Sequence, residues 1–488
     1  MKWCADTWSN GFPKSLPAVS LSSTMLAAGR ALRARLQTCR SAASDGMIKW
    51  IPHWHCGANR AEGRNEQSGM ADRGEHSFRF RSGTDRLMHI LFVHWFAPGQ
   101  FENTSKYLVK NGHRCTLLCE TAVGTTGGIK RLRYRLDGRP ARGSHYCSLP
   151  FDEAVRHAIG VYKALKPQRH RLRPDLIVGH SGFGSTLFLP ELFPDAPIIN
   201  HFEYYCHSHQ SALDFRPEWA PLERDLLRTR AKNAMVLLDL ENCTAGYCPT
   251  RFSKALLPKA YRSKIRVLHD GIDTDFWQRR KAGDRRLGRF QFARETRIVT
   301  YVARGLESTR GFDIFLKVAK RIYEADPRVV FLVVGGERVY YGPDLRHIRE
   351  KSFFKHAWNQ GEYDLRRFRF LGHVSRQTVA EIFSLSDLHI YLTVPFVLSW
   401  SILEAMACEC LVLGSDTAPV REVIQNKQNG LLQDFFDVEG LCRGALKVLK
   451  DPAGYREMGR AARKTILERF SLPIALPRIT AFYEEVAR

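Results

Sequence analysis

At about 150 residues per domain, 488 residues predict two or three domains, and an apolar share of 44% gives each a core to bury. The formal charge of +24 predicts affinity for anions in general (nucleotide phosphates, acidic lipid headgroups or nucleic acid), but no RNP or zinc-finger module accompanies it, so nucleic acid is not an expected partner. The 12 cysteines are scattered without a Cys-x-x-Cys pair, which points to small buried thiols in a reducing compartment rather than a disulfide or zinc framework.

Residues 1–87 hold Trp3, Trp8, Trp50 and Trp54 among many Arg and Ser, with almost no sustained periodicity, which argues against a packed domain. Three readings stand. Ser22–Ser44 is Ser/Arg-rich and acid-poor, like a transit peptide; the whole stretch has the composition of a disordered basic tail; or the reading frame starts too early. The last is favoured, because Met88-His89-Ile90-Leu91-Phe92-Val93 opens a strand at once.

From there short apolar strands alternate with helices. Strands are predicted over His89–His94, Arg114–Cys119, Asp175–His180, Pro197–Phe202 and Ile265–Leu268, with helices over Glu102–Asn111, Asp152–Leu165, Gly184–Leu192 and a long Pro221–Glu241. Residues 279–296 are basic and contain glycine, and read as an exposed connector. A second set follows, with strands Arg297–Val302, Val329–Val334, Phe368–Gly372, Leu388–Leu392 and Leu411–Gly414 around helices Gly311–Glu324 and Arg376–Leu385. Residues 472–488 are predicted to be a helix folding back over the cleft. Such alternation builds parallel, doubly wound sheets, so the fold class is α/β with two Rossmann-like domains, 88–278 and 297–471. Ligands of such sheets bind outside the carboxyl ends of the strands, in a cleft where two domains face. No apolar run reaches the roughly 18 residues that span a bilayer. The expectation is a cytoplasmic protein, with an anionic surface on the inner face of the membrane as a further partner.

The strongest signal lies between Val394 and Cys408. An apolar strand runs through a proline turn into a helix opening with Ser399, Trp400 and Ser401, and Glu404 follows about one turn inside. A helix start offers unpaired N–H groups and partial positive charge to a phosphate, and the carboxylate can accept bonds from sugar or ribose hydroxyls. A buried crossover with a merely structural Glu404 is the alternative. Arg304 and Arg310-Gly311 follow a strand end, where two guanidiniums can grip a diphosphate. His180 ends a strand before a Gly-containing turn and points at the cleft, or is a structural histidine bonded to a carbonyl. Glu203, Tyr204 and Tyr205 follow another strand end, a carboxylate and two phenols that suit a carbohydrate acceptor or a core. Gly99 lets the backbone pass close to a ligand or only to the next helix. No cluster of His, Cys, Asp and Glu has the spacing of metal ligands, so neither a metal nor another cofactor is expected.

Together these elements resemble the family-four (group 1) retaining glycosyltransferases of the GT-B fold, in a bacterial subgroup. The match runs from Met88 to the C-terminus. It rests on His180, His269-Asp270-Gly271-Ile272-Asp273, Arg304 with Arg310-Gly311, Gly372-His373-Val374, Glu404-Ala405-Met406-Ala407, Glu422-Val423-Ile424 and Asn429-Gly430-Leu431-Leu432. The stretch from Phe202-Glu203-Tyr204-Tyr205 to Cys248-Pro249-Thr250-Arg251 is similar to the subgroup. The resemblance implies transfer of a sugar from a nucleoside diphosphate to a saccharide or lipid-linked acceptor, with retained configuration and no metal. It assigns the diphosphate to Arg304 and Arg310, the ribose to Glu404, the base to the main chain at Val374 and the transferred sugar to His180. Gly99, Ser399, Trp400 and Ser401 complete the donor contacts. The sequence departs from the family twice. Arg310 replaces the usual lysine, a mild change that keeps the charge. Phe396 stands where the family has its first glutamate, and an apolar ring cannot hydrogen-bond a sugar hydroxyl. That departure keeps a second reading open, a nucleotide-sugar-binding protein that has lost turnover.

Overall fold

The computed structural model describes residues 87–488 apart from Pro98, Ala122, Ala141 and residues 281–284; the readings of residues 1–86 lie outside the described residues. Two parallel sheets organise the chain. The first contains β1 (His89–Val93), β2 (Arg114–Cys119), β3 (Gly124–Thr126), β4 (Ile129–Arg133), β5 (Leu176–His180), β6 (Ile198–His201), β7 (Ala245–Cys248) and β8 (Ile265–Val267). Its order is β3-β4-β2-β1-β5-β6-β7-β8, and only the β3–β4 pair is antiparallel. After a small hairpin, β9 (Arg286–Leu287) and β10 (Phe290–Gln291), the second sheet contains β11 (Arg297–Gly305), β12 (Val329–Gly336), β13 (Phe368–Phe370), β14 (Leu388–Tyr391), β15 (Val412–Ser415) and β16 (Leu431–Gln433). Its order, β13-β12-β11-β14-β15-β16, is that of a dinucleotide-type doubly wound sheet. In both sheets the order reverses beside the first strand, at β1/β5 and at β11/β14, and such switch points open ligand crevices.

Helices cover both faces of each sheet, so the inner strands are buried rather than alternating; all five residues of β1 are buried, whereas the edge strand β3 is exposed. The helix Phe312–Ala325 shows the complementary pattern, burying Phe312, Phe315, Leu316, Ala319 and Ile322 at helical spacing. It opens at Gly311, in the left-handed region (φ 62°), where an added Cβ would meet Leu392 Cβ at 2.8 Å. That close approach brings the end of β14 against the turn carrying Arg310.

Four expectations change. Residues 184–192 form turns, not a helix. Gly184 sits at φ 72°, and side chains there prefer other partners: Ser185 Oγ donates to His180 O (2.9 Å) and Thr186 Oγ1 to Asn200 Oδ1 (3.2 Å). The long helix divides into Glu223–Lys232 and Ala234–Asn242. At the break, the Asn233 side chain accepts from Cys206 N (3.0 Å) and donates to Cys206 O (2.6 Å). The basic connector is not wholly exposed, since Leu287 and Phe292 of its hairpin are buried with Ile298 and Leu332. The last helix, Leu472–Val486, lies on the N-terminal sheet rather than over the cleft, packing Ile479, Phe482 and Tyr483 against Met88, Phe92 and Phe101.

The domains are tied at three further places. The two chain crossings run side by side, with Ile272 N donating to Phe470 O (2.7 Å) and Leu472 N to Ile272 O (3.0 Å). Arg216 reaches from the N-terminal domain to Asp313 with two hydrogen bonds (2.9 and 2.7 Å), while Trp219 packs on Phe353. Glu422 accepts from Arg251 N (2.8 Å) and Phe252 N (2.6 Å) at the start of the helix Arg251–Leu256. These ties set the carboxyl-end rims of the two sheets opposite each other. Among the described residues no helix is long and apolar enough to cross a membrane.

Candidate active site

The N-terminal wall is built on adjacent strand ends. His180 and His201 are register partners on β5 and β6, with ring centroids 5.2 Å apart. Glu203 follows, its Oε2 3.6 Å from His180 Nε2 and its Oε1 accepting from Gln100 Nε2. Burial alone would raise the Glu203 pKa, but the His180 contact overrides it and holds the carboxyl well below its usual range. Burial pushes His201 down to about 3 and His269 to about 4, so both rings stay neutral. The loop after His180 is pinned by Asp239, which accepts from Gly182 N (2.7 Å) and Ser181 Oγ (3.0 Å) and is pushed by burial up to about 7.

The C-terminal wall holds the cations. Arg304 lies near the end of β11, its exposed guanidinium 4.1 Å over the Tyr340 ring. Arg310 is buried, donates to Thr393 Oγ1 (2.8 Å) and sits 5.3 Å over the Tyr341 ring. Glu307 positions both rings, accepting from Tyr340 N (2.5 Å) and Tyr341 N (3.1 Å); burial raises its pKa to about 8. The helix Trp400–Ala407 is capped by Ser399, whose Oγ accepts from Ser401 N (3.3 Å), and Ser399 N donates to Tyr391 Oη (3.3 Å). Glu404, one turn in, is raised by burial to about 7 against the opposing pull of Arg376.

One cleft collects His180, Glu203, Tyr204, Arg304, Arg310, Ser399, Trp400 and Ser401. Phe396 joins them, 4.7 Å from the Tyr204 ring and 5.2 Å from the Tyr341 ring. Four expected residues do not line it. Tyr205 turns into the N-terminal core, as consecutive side chains of an extended chain must point apart. Gly99 backs onto the His94 ring, where a Cβ would come within 2.7 Å of Nδ1. The Val374 side chain packs into the core beneath, and Glu404 lies a turn behind the helix start. Sequence reasoning missed Glu307, Tyr340 and Tyr341, whose one signal is a Tyr-Tyr pair just beyond the end of β12. It also missed a grouping that linear spacing hides: donor atoms of His180, His201 and Glu203 lie within 4.8 Å of one another. Asp273-Thr274-Asp275 has the Asp-x-Asp form but lies outside the cleft lining, where Asp273 Oδ1 accepts from Phe276 N (3.0 Å).

Residues 111–277 match the model of the "Glycosyl transferase family 4 group", and residues 285–465 match "Glycosyl transferases group 1". The chain belongs to the group 1 glycosyltransferases. This glycosyltransferase is 28% identical over 192 residues to the N-acetyl-alpha-D-glucosaminyl L-malate synthase of Bacillus anthracis. That alignment takes in 39% of this chain and 46% of the synthase, so it spans less than half of that relative's length. Among solved structures it resembles the sucrose-phosphate synthase of Thermosynechococcus elongatus (TM-score 0.63, 15% identity, 82% of this chain and 99% of that one). It also resembles Anabaena HepE in complex with UDP-glucose (TM-score 0.58, 16% identity, 82% and 100%). These likenesses establish the GT-B fold.

Proposed function

We propose that this glycosyltransferase moves a sugar from a nucleoside-diphosphate donor to a saccharide or lipid-linked acceptor, with retained anomeric configuration and no catalytic metal. The observation that carries the reading is the pairing of walls. Two guanidiniums and a capped helix start face His180 and Glu203 across one cleft. Negative charge develops on the departing diphosphate, and fixed cations and helix N–H groups aimed there stabilise the transition state; losing one such donor costs about 3 kcal/mol. Arg304, Arg310 and the helix at Ser399–Ser401 would take that role. The ribose would reach past Ser401 to Glu404, one turn behind the cleft lining, the main chain at Val374 would meet the base beyond that lining, and His180 would contact the transferred sugar. Tyr204 and Glu203 would meet the acceptor.

In the front-face route proposed, the bond from the anomeric carbon to the diphosphate oxygen breaks as the acceptor oxygen bonds on the same face. The departing oxygen takes the acceptor proton, so no protein nucleophile is needed. The UDP-glucose in the HepE complex and the malate acceptor in the synthase's name are consistent with a nucleotide-sugar donor and a hydroxyl acceptor. The aromatic set Tyr204–Phe396–Tyr341 offers ring faces where a carboxylate would bind hydroxyls, so it would set the choice of donor sugar. Transfer and donor hydrolysis measured over a panel of nucleotide sugars, with the anomeric configuration of the product read by NMR, test this. Turnover of at least one donor with retention is expected. Tight binding of a donor with no turnover of any would favour the lost-activity reading, and an inverted product would exclude the front-face route.

A further inference from the structure

We propose that His180, His201 and Glu203 form a site for a borderline divalent cation of the zinc class, and that its occupation shuts the sugar out of the cleft. The donor atoms lie within 4.8 Å of one another on the ends of two hydrogen-bonded parallel strands, a scaffold that holds ligands rigidly. Both rings are buried, with relative exposures of 3% and 0%, yet none of their four nitrogens makes a hydrogen bond; the nearest polar approach is Glu203 Oε2, 3.6 Å from His180 Nε2. A buried unsatisfied imidazole nitrogen carries a desolvation cost, and a bound ion removes it for one nitrogen of each ring. Glu203 retains 17% of its side-chain exposure and closes the group on the cleft side.

Ligand chemistry selects the ion. Two imidazoles with one carboxylate suit zinc, cobalt or nickel, whereas magnesium and calcium prefer all-oxygen sets. Three protein ligands leave a fourth position open, and two of the three, His180 and Glu203, line the cleft. Metal–ligand distances of about 2.0–2.2 Å place tetrahedral donors roughly 3.4 Å apart, which small side-chain rotations reach from the present spread. An ion held there uses up His180 and Glu203. The inference therefore rests on the proposed roles of those two residues only for its inhibitory consequence, not for binding.

The test uses the full-length protein, stripped with chelator and titrated with Co²⁺ by visible absorption and with Zn²⁺ by calorimetry. One equivalent is expected, with the strong d–d bands of a low-coordinate site, and zinc but not magnesium should inhibit transfer until chelator is added. His201→Ala should weaken zinc binding by more than about 10-fold, the lower end of what even an outer-shell partner costs, and should keep its transfer rate in chelator. His201→Gln, which fills the same space, serves if the alanine variant fails to fold. Wild-type protein that gives neither bands nor heat, or a folded His201 variant that binds zinc like wild type, overturns the proposal. Zinc binding in a protein without transferase activity would leave this site standing and remove the functional reading instead; transfer without zinc binding would do the reverse.

Discussion

The two walls of the cleft solve their electrostatics differently. On the C-terminal wall every cation has a seat: Arg310 is bonded to Thr393 and lies over Tyr341, Arg304 lies over Tyr340, and Glu307 fixes both rings from below. On the N-terminal wall His180 is buried with unsatisfied nitrogens and Glu203 is its nearby charge, while His201 lies outside the cleft lining. A pre-seated cationic wall suits a ligand of constant charge such as a diphosphate. An unsatisfied wall suits groups that arrive with hydroxyls or an ion. On the proposed reading the diphosphate would be held by the C-terminal domain and the acceptor met by the N-terminal one, the two joined by the ties at Arg216–Asp313 and Glu422–Arg251.

Substitutions can break that contrast, and the largest effect is expected at Arg310. Arg310→Ala should lower kcat/KM about 100-fold or more, matching roughly 3 kcal/mol for one lost transition-state donor. Arg310→Lys should recover part of it, and thermal melts of both variants separate catalysis from folding. Arg304 is exposed, so water screens its charge. Arg304→Ala should therefore cost nearer 10-fold in the same assay, and an equal or larger loss would reverse the ranking of the two cations.

A subtler effect is expected from pH. Glu404 ionises at about 7 because burial opposes its charge. Its raised pKa means that the folded state binds more protons than the unfolded one between about 4.5 and 7, so this group's contribution to stability falls as pH climbs through that window. Over the same rise the carboxylate forms, and charge-assisted bonds to ribose hydroxyls strengthen. Donor affinity measured from pH 5.5 to 8.5 should increase with one deprotonation near 7, and Glu404→Gln should flatten the curve. An unchanged curve in that variant would assign the titration elsewhere. Phe396→Glu should alter which nucleotide sugar is preferred while leaving diphosphate affinity within about 3-fold; a loss of diphosphate binding would show that Phe396 supports the cationic wall instead. The smallest effect concerns the basic surface, where co-sedimentation with vesicles containing anionic lipid should be salt-sensitive, and the same sedimentation on neutral vesicles would remove the charge argument.

Most strands and the pairing of two doubly wound domains were legible because buried parallel strands read as apolar runs, as at β1, β2 and β11. The helix start at Ser399 was legible for a local reason, since a capping serine and the carboxylate one turn later are sequence neighbours. The rest depends on distant partners. Residues 184–192 look helical until Asp239 and Asn200 claim the loop's polar groups, and β7, Ala-Gly-Tyr-Cys, is too short and weakly apolar to stand out. Glu307 gave no sign of holding Tyr340 and Tyr341, because that contact spans more than 30 residues. Tyr204 and Tyr205 looked equivalent in sequence, and only the direction of the extended chain separates the cleft residue from the core one.

The central claim is that the C-terminal wall alone binds the diphosphate and the N-terminal wall does not. Calorimetric titration of UDP into wild type, Arg310→Ala and Glu203→Gln tests it most directly. Affinity should fall at least about 10-fold in Arg310→Ala, where the buried cation is lost, and stay within about 2-fold in Glu203→Gln. Equal affinities in wild type and Arg310→Ala, or a large loss in Glu203→Gln, would contradict it.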